Sequence, residues 1–332
     1  MCCKKSFVYA KDRERISSAT KRRLVKQYIE GRSSYRGLAA QYSLDKNTIL
    51  RAIIEVISSL ADPFFIAELL KPKWSGILSF DGKYIRTFDW SAKHFNLTGK
   101  EKKAAHKSVF LVGMDTQTKD VPVHLLGDEE TMIDLIMYFR DLKRIGYDLK
   151  VLVRDGNTDI ERAARKVYGD SFKVQLCHKH FLDTLSSYLR DEENRCRNDS
   201  EALIERIREM IAKGRDLSLG VKPRTKTQLK ILRHYRENYE RLYLWTKVPM
   251  VPKTNNHIEN YFRQLNLRLK TVNMFRSMQT ADKYLNALIL SRRFTKFTCC
   301  RGRNKHKNGK APLELAGCDI SNIDYLKLKK QQ

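Results

Sequence analysis

Residues 149–181 constrain the fold of this chain more than any other stretch, because they predict a strand, a helix and a second strand in immediate succession. Residues 149–154 are apolar and β-branched, as buried strands are, and residues 172–176 predict the second strand. In open sheets built from such units, ligands gather at the carboxyl ends of the strands. Asp155 stands where the first strand ends, so we expect it to take part in chemistry. An aspartate before glycine is also common in ordinary turns, and for Asp155 alone that alternative stays open.

The net charge narrows the range of partners. The 332-residue chain has 65 Lys and Arg against 38 Asp and Glu, and the resulting charge of +27 is spread along its length. This balance favours a polyanion such as double-stranded DNA over an anionic membrane. No apolar run approaches the roughly 18 residues that span a bilayer, and the amino terminus lacks the apolar core of a secretory signal. We expect a cytoplasmic, chromosome-associated protein, nuclear in a eukaryote.

Residues 1–70 predict a DNA-binding region. Within them, residues 33–49 have the pattern of two short helices joined by a tight turn, and Asp45 can cap the second helix. Three polar side chains would stay on the outside of that helix: Lys46, Asn47 and Arg51. Side chains of these types reach phosphates and base edges when a recognition helix lies in a major groove. We therefore expect a helix-turn-helix, with an ordinary helical hairpin as the alternative.

The order of elements in residues 71–182 defines the fold class. Strands are predicted at residues 74–86, 108–114 and 121–126, a basic loop at 93–107 and a helix at 131–145. Together with the strand, helix and strand that end at residue 176, this is the order of a ribonuclease H-like fold. We therefore predict an α/β domain with a mixed sheet and flanking helices. Asp81 falls on its first strand, at or near the carboxyl half.

The rest of the chain predicts three further segments. Residues 183–250 are helical and strongly charged, and we interpret them as an all-helical insertion into the ribonuclease H-like domain. Residues 251–295 predict the last helices of that domain. Residues 296–332 form a basic C-terminal tail, whose part up to Lys310 we expect to be flexible and to contact the DNA backbone. Simple solvation of those charges would explain the composition nearly as well.

The helix predicted at residues 254–271 has two distinct faces. At 100° per residue, one narrow polar stripe contains Asn256, Glu259, Arg263, Asn266 and Lys270. Apolar side chains share another face, so Glu259 can look into a site while its helix stays packed. Glu259 and Arg263 also make a common solvated i,i+4 pair, and that alternative stays open.

Asp81, Asp155 and Glu259 are expected to meet. The element order brings the first two onto adjacent strands and the third onto the helix that covers them. Three carboxylates at one place repel each other unless divalent cations lie between them. Mg²⁺ accepts a few protein carboxylates and completes its octahedral shell with water and phosphate oxygens. We therefore predict a site for two Mg²⁺ ions, with Mn²⁺ as a substitute, that supports phosphodiester displacement.

The ordered set of motifs resembles the DDE transposases. The set comprises Asp81-Gly82, Asp155-Gly156, Cys177-x-x-His180, a helical insertion and Asn256-x-x-Glu259. Within that group the chain is similar to the transposases of Mutator-like elements and of related bacterial insertion sequences, over roughly residues 74–290. The resemblance implies DNA cleavage and strand transfer at the terminal repeats of an element, with the three acids as metal ligands. It also implies a basic residue near the glutamate that contacts DNA, for which Arg263 and Lys270 are the candidates.

Cys177 and His180 leave two interpretations open. They are either a packed, hydrogen-bonded pair, or two zinc ligands. A closed structural zinc site needs four ligands, and His178 and His257 are the further candidates.

Two alternatives to a transposase remain at this point. One is a DNA-binding regulator descended from such an enzyme that no longer cuts, against which the intact acidic triad argues. The other is a structure-specific nuclease on the same fold, which would cut without joining and would need no sequence-reading module. Because a transposase pairs two DNA ends, we expect a homodimer or a larger assembly on DNA.

Overall fold

A mixed sheet lies at the centre of the computed structural model, which describes residues 16–31, 33–95, 101–192, 194–215, 222–272, 275 and 277–329. Its strands are β1 (Ile77–Phe95), β2 (Glu101–Asp115), β3 (His124–Gly127), β4 (Val151–Arg154) and β5 (Lys173–Leu176). They lie in the order β3-β2-β1-β4-β5. β1 and β3 both pair antiparallel with β2, whereas β4 is parallel to β1 and to β5. This order and these directions make the ribonuclease H-like sheet that the sequence predicted.

The β1–β2 hairpin is longer than the sequence predicted. The basic loop expected at residues 93–107 is wrong for residues 93–95 and 101–107, which belong to β1 and β2. Residues 96–100 lie outside the described residues. Antiparallel pairing satisfies backbone groups whatever the side chains are, so charged residues can extend a hairpin that composition alone would end. The pairing register shifts between Phe88 and Lys93.

Helices pack on both faces of the sheet. In chain order the described α-helices are α1 (Ser18–Ile29), α2 (Tyr35–Tyr42), α3 (Lys46–Ser58), α4 (Pro63–Leu70), α5 (Met132–Arg144), α6 (Thr158–Tyr168), α7 (His178–Tyr188), α8 (Asn194–Lys213), α9 (Lys226–Glu237), α10 (Tyr239–Leu242), α11 (Leu244–Lys247), α12 (Asn256–Val272), α13 (Met278–Phe294) and α14 (Pro312–Leu315). α5 and α6 cover one face, and α12 and α13 cover the other. In the described part of the chain, no helix is both long and apolar enough to cross a membrane.

The contact between α5 and β1 sets the position of Asp81. Tyr138 and Phe139 of α5 are fully buried against Phe80 of β1, with ring centroids 4.8 and 5.3 Å from that of Phe80. Gly113 of β2 lies directly beneath Tyr138, where any β-carbon would collide with the tyrosine hydroxyl. Because Phe80 is held so closely, the residue that follows it has little freedom to move along the sheet.

The N-terminal helices share one apolar cluster with α12, α13 and the C-terminal segment. α2 and α3 are joined by a turn in which Ser43 adopts a left-handed φ of 52°. Asp45 caps α3, because its carboxylate accepts hydrogen bonds from the N–H groups of Asn47 and Thr48. Leu38 of α2 and the apolar face of α3 are buried, as expected for two packed helices.

The C-terminal segment is packed, so the expectation of a flexible stretch up to Lys310 is wrong. Lys307 is only 4% exposed, and its Nζ donates a hydrogen bond to the carbonyl oxygen of Gln117 at 2.6 Å. Leu313 and Tyr325 join the cluster of the N-terminal helices. The basic stretch lies between the sheet and these buried apolar residues. Its composition predicts only that it is polar, because the residues that hold it in place lie elsewhere in the chain.

The described part of residues 183–250 consists of helices joined by short turns and connections, and no strand occurs in it. Leu185 of α7, Ile207 of α8 and Ile231 of α9 are fully buried in a cluster of their own. His234 of α9 stacks on Phe181 of α7 with centroids 5.3 Å apart, which fixes this cluster next to the end of β5. The insertion therefore stands beside the carboxyl ends of β4 and β5.

Candidate active site

Asp81 and Asp155 lie at the same level on adjacent strands. β1 and β4 are parallel, with Ser79 opposite Val153, and each aspartate stands two residues further along. Asp81 lies in the amino-terminal third of β1 and not at or near its carboxyl half, as the sequence predicted, because β1 continues to Phe95. Its carboxylate accepts a hydrogen bond from the N–H of Gly82 at 2.9 Å. Asp155 follows the last residue of β4. Parallel pairing therefore places the two carboxylates side by side at the edge where ligands collect.

The two aspartates repel each other. Burial and the neighbouring charge of Asp155 raise the pKa of Asp81 to about 7. A half-buried carboxylate with such a pKa is costly to ionise without a cation beside it. The donors here are carboxylate oxygens, which Mg²⁺ prefers, so this pair of residues fits a Mg²⁺ site.

Glu130 is a third acid at this place, and the sequence interpretation missed it. Its Oε1 accepts a hydrogen bond from Asn157 Nδ2 at 3.0 Å, while the N–H of Asn157 donates to Asp155 Oδ1 at 2.9 Å. Burial and Asp155 raise the pKa of Glu130. A signal was present, because Glu130 ends a run of three acids just before α5 in a chain of strongly positive charge.

Glu259 lies in the first turn of α12 and faces a different set of partners. Its carboxylate forms an ion pair with Lys179 at 3.2 Å and lies 3.9 Å from His180 Nε2. Within the described residues, one set of three metal-ligating side chains has its ligand atoms within 4.8 Å of one another, and it is Cys177, His180 and Glu259. The structure thus brings Asp81 and Asp155 together and holds Glu259 beside the Cys177–His180 pair.

Cys177 and His180 form a polar pair between β5 and the first turn of α7. The interaction with Cys177, together with the charges of Asp155 and Asp81, raises the pKa of His180 to about 9, although burial acts in the opposite direction. Burial raises the pKa of Cys177, but contacts with His180 and the N–H of Asn255 outweigh it and lower that pKa. His180 is therefore protonated at neutral pH, and its charge faces both the aspartates and Glu259.

The two further zinc ligands suggested by the sequence are engaged elsewhere. His178 Nε2 lies 2.9 Å from the carbonyl oxygen of Leu242, and His257 Nδ1 lies 2.8 Å from Lys119 Nζ. The suggestion that either histidine completes a four-ligand zinc site is wrong. His178 follows Cys177 and His257 follows Asn256 by one position. Successive side chains on a helix point about 100° apart, so neither histidine shares the direction of its motif residue.

Asn255 connects the separate parts of the site. It is fully buried, and its Nδ2 donates a hydrogen bond to the carbonyl oxygen of Phe80 at 2.8 Å. Its backbone N–H donates to Cys177 Sγ at 3.3 Å. The sequence drew attention to the next residue, Asn256, which is exposed. Asn255, which precedes α12, therefore positions Glu259 relative to Asp81. Asn256, the first residue of the polar stripe, does not.

A cavity of about 290 Å³ opens next to Asp155. Its walls come from β4, α7 and α9, including Phe181, Thr184 and Asn238. Arg154 supports the wall, because its guanidinium donates to the carbonyl oxygen of Asp155 at 2.7 Å and pairs with buried Glu161 at 2.7 Å. Part of a substrate can thus lie between Asp155 and the helical insertion.

The residues predicted to contact DNA are on the surface. Lys46, Asn47 and Arg51 are exposed on α3, and Arg263 and Lys270 are exposed on α12. Arg263 donates a hydrogen bond to the side-chain oxygen of Asn260, one turn before it. Their exposure leaves them accessible to a large polyanion.

Two solved structures resemble the chain at low sequence identity and low TM-score. No protein-family model matches the chain, and no curated protein matches it. The catalytic core domain of BIV integrase is similar at 17% identity and a TM-score of 0.21, covering 50% of this chain and 99% of that domain. A Drosophila P element transposase strand transfer complex is similar at 10% identity and a TM-score of 0.34, covering 92% of this chain and 93% of that one. At such values the likeness carries nothing about activity, and strand order and direction identify the sheet as ribonuclease H-like.

Proposed function

We propose that the protein is a DNA transposase that cleaves and joins DNA strands by a metal-dependent DDE mechanism. The observation that carries the proposal is the placement of Asp81 and Asp155 side by side on β1 and β4, with the pKa of Asp81 raised to about 7. Two ionised carboxylates in this position lower the stability of the fold unless a cation neutralises them. Two bound Mg²⁺ ions would activate a water or a 3′-hydroxyl and stabilise the leaving oxygen.

Asp81 and Asp155 have the same role in this proposal, which is to hold the metal ions against the substrate phosphate. His180 acts on Asp81 through its positive charge, which lowers the pKa of Asp81 and offsets part of the effect of burial and of Asp155. Asn157 orients Asp155 and Glu130 together through its two hydrogen bonds. The chain's own contribution is therefore to fix carboxylate oxygens at the strand edge before substrate arrives.

The third acid of the proposed site is Glu259, as the motif Asn256-x-x-Glu259 suggests. In the metal-free chain Glu259 pairs with Lys179, so metal binding must compete with that ion pair. The pair is partly exposed and therefore weak, which makes the competition feasible. Glu130 is the rival for this position, because it already lies next to Asp155.

We further propose that α3 reads the terminal repeats of the element. Lys46 and Asn47 lie at the exposed start of α3, where a recognition helix contacts base edges, and Arg51 is one turn further along. Arg263 and Lys270 would hold the strand near Glu259. Two copies of the chain would pair the two ends of the element, as a homodimer or a larger complex. The relation to Mutator-like elements and to bacterial insertion sequences belongs to the same proposal.

A cleavage and joining assay tests the proposal. Duplex DNA carrying the flanks of the gene is incubated with the protein and Mg²⁺ or Mn²⁺, and the cut and joined products are resolved. We expect products at the repeats for the wild type, and a loss of about a thousandfold or more for Asp155→Asn, because several kcal/mol of transition-state stabilisation disappear. Glu205→Gln, on the exposed surface of α8, serves as the matched control.

The pattern of products separates the alternatives. DNA binding that Asp155→Asn leaves intact, together with lost cleavage, supports the assigned role, since phosphate contacts supply most of the affinity. Binding without any cleavage by the wild type would identify a DNA-binding regulator. Cleavage without joining would identify a nuclease. Parallel assays of Glu259→Gln and Glu130→Gln decide which glutamate is the third ligand.

A further inference from the structure

A second polar cavity lies against α12, and Glu259 is not among the residues that line it. It has a volume of about 190 Å³ and is bounded by α12, α13 and the C-terminal segment. Four of its lining residues are cationic: Lys119, Arg292, Arg301 and Lys307. None of the described residues that line it carries a carboxylate. The proposed active site gives no role to these four cationic residues.

Burial makes this cation cluster costly. Lys307 is 4% exposed, and Lys119 Nζ lies 2.8 Å from the ring nitrogen of His257. Burial and the charge of Lys307 lower the pKa of Lys119 to about 7. Arg292 adds a further guanidinium, whose buried Nε has no hydrogen-bond partner in the described part of the chain. The groups thus repel one another in a partly dry space.

The nearest carboxylates are already used by other groups. Asp120 pairs with Arg293 through two hydrogen bonds of 2.8 and 2.9 Å. Asp115 is completely buried and accepts hydrogen bonds from Ser75, Thr118 and Tyr147, among others. These acids hold the β2–β3 turn in place, and neither of them lines the cavity. An anion from outside the chain would complete the charge balance there.

We propose that this cavity binds a phosphate group of the DNA backbone. Arg292 and Arg301 offer planar groups of N–H donors, and Lys119 and Lys307 offer point charges, which together suit a tetrahedral oxyanion. The volume corresponds to that of about six water molecules, enough for a phosphate with part of its hydration. Arg301 and Asn304 at the mouth are exposed, so a strand can reach the opening.

The cavity lies against the same helix that carries Glu259. His257 and Asn260 line it from α12, and Glu259 lies between them in sequence on the same helical turn. A phosphate held there would fix the strand to the helix that carries the proposed third ligand. Only the choice of DNA as the ligand rests on the proposed function. The cluster of cations by itself favours an anion, whatever reaction the protein catalyses.

The test places an anion in the cavity by mutation. Asn304→Asp introduces a carboxylate at the exposed mouth, where it cannot disturb the core. We expect the DNA-free protein to melt about 2 °C higher, because the new charge relieves the repulsion. We expect DNA affinity at 0.15 M salt to fall about tenfold or more, because the phosphate now meets a like charge. Asn198→Asp on exposed α8 changes the net charge equally and should show neither effect.

A second variant measures the number of phosphate contacts. Arg301→Gln should lower the slope of log affinity against log salt by about 0.9, which is the value for one lost phosphate contact. Anisotropy titrations of a labelled duplex between 0.05 and roughly 0.3 M KCl give this slope. Unchanged affinity and slope in both variants, with wild-type binding intact, would overturn the inference.

Inorganic pyrophosphate distinguishes the two sources of a phosphate group. If pyrophosphate raises the melting temperature of the wild type but not of Asn304→Asp, while DNA affinity is equal in both, the cavity takes a small free phosphate and the assignment to DNA is wrong. If the wild type binds no DNA at all, the proposed function fails first, and the pyrophosphate measurement then decides the anion site by itself.

Discussion

Asn255 donates a hydrogen bond from its buried side-chain amide to the carbonyl oxygen of Phe80, over 2.8 Å. The acceptor belongs to the residue just before Asp81, and the donor belongs to the residue just before α12, whose first turn carries Glu259. One hydrogen bond therefore links two segments that are far apart in the sequence and that carry two of the three proposed metal ligands. The same residue reaches Cys177 through its backbone N–H.

Removing that amide should separate the two segments. We expect Asn255→Ala to lower the free energy of unfolding by about 1–3 kcal/mol, because the Phe80 carbonyl would be left buried without its donor. Urea melts measure the change. The matched control is Asn256→Ala, whose side chain is exposed and which should change stability by less than about 0.5 kcal/mol. Equal effects of the two variants would contradict the role given to Asn255.

Asp81 should make the metal-free protein sensitive to pH. Its folded-state pKa of about 7 exceeds the ordinary value of 3.8, so the folded chain binds the extra proton between those values. The contribution of Asp81 to stability therefore falls as pH rises from 3.8 to about 7 and is constant above that. At pH 8 without metal, Asp81→Asn should be more stable than the wild type by on the order of 1 kcal/mol.

Mg²⁺ should reverse the order of stability of the wild type and Asp81→Asn. Mg²⁺ binds ionised carboxylates, so millimolar Mg²⁺ should raise the melting temperature of the wild type at pH 8 and leave that of Asp81→Asn unchanged. Calorimetric scans with EDTA or Mg²⁺ give both quantities. A wild type that melts at the same temperature in both buffers would argue against a Mg²⁺ site at Asp81.

The protonation of His180 should depend on Cys177. Its pKa of about 9 has the Cys177 thiol as the main cause, with burial acting in the opposite direction. In Cys177→Ser we expect that pKa to fall toward the ordinary 6.5, as followed by the chemical shifts of the imidazole. Cys196→Ser, in the insertion, is the control. A His180 pKa that stays near 9 in Cys177→Ser would show that the carboxylates alone maintain it.

The ion pair between Lys179 and Glu259 should compete with metal. Lys179→Gln frees Glu259, so we expect half-maximal cleavage at a Mg²⁺ concentration a few-fold lower, with stability changed by less than about 0.5 kcal/mol because the pair is exposed. Lys213→Gln breaks a comparable surface pair with Glu209 and should leave the Mg²⁺ requirement unaltered. An unchanged requirement in Lys179→Gln would favour Glu130 as the third ligand.

Gly113 should tolerate no side chain. A β-carbon there would overlap the hydroxyl of Tyr138 and both terminal methyl groups of Leu78, all of which are buried. We expect Gly113→Ala to cost about 1–3 kcal/mol of unfolding free energy. Gly37→Ala, in exposed α2, meets only the Ser34 hydroxyl at 3.5 Å and should be neutral or stabilising. Chemical denaturation compares the two directly.

Local patterns in the sequence determined the elements and their order. The apolar run before Asp155, the capping residue Asp45 and the two faces of α12 each depend on neighbours within a few residues, and each element formed where its pattern predicted it. Strand order followed from element order, because parallel connections through helices leave few arrangements. Element order alone therefore assigned Asp81 and Asp155 to adjacent strands.

Long-range packing decided what lies beside those elements. Charged residues 101–107 became strand because β1 supplied backbone partners, and Lys307 became buried because the β2–β3 turn supplied a carbonyl oxygen. Glu130, Asn255 and the cationic cavity likewise depend on segments that meet only in the folded chain. Local sequence sets secondary structure through backbone preferences and periodicity, whereas charge environment and hydrogen-bond partners are set by residues far along the chain. The tertiary structure alone therefore decided that Glu130 lies beside the two aspartates, while Glu259 pairs with Lys179.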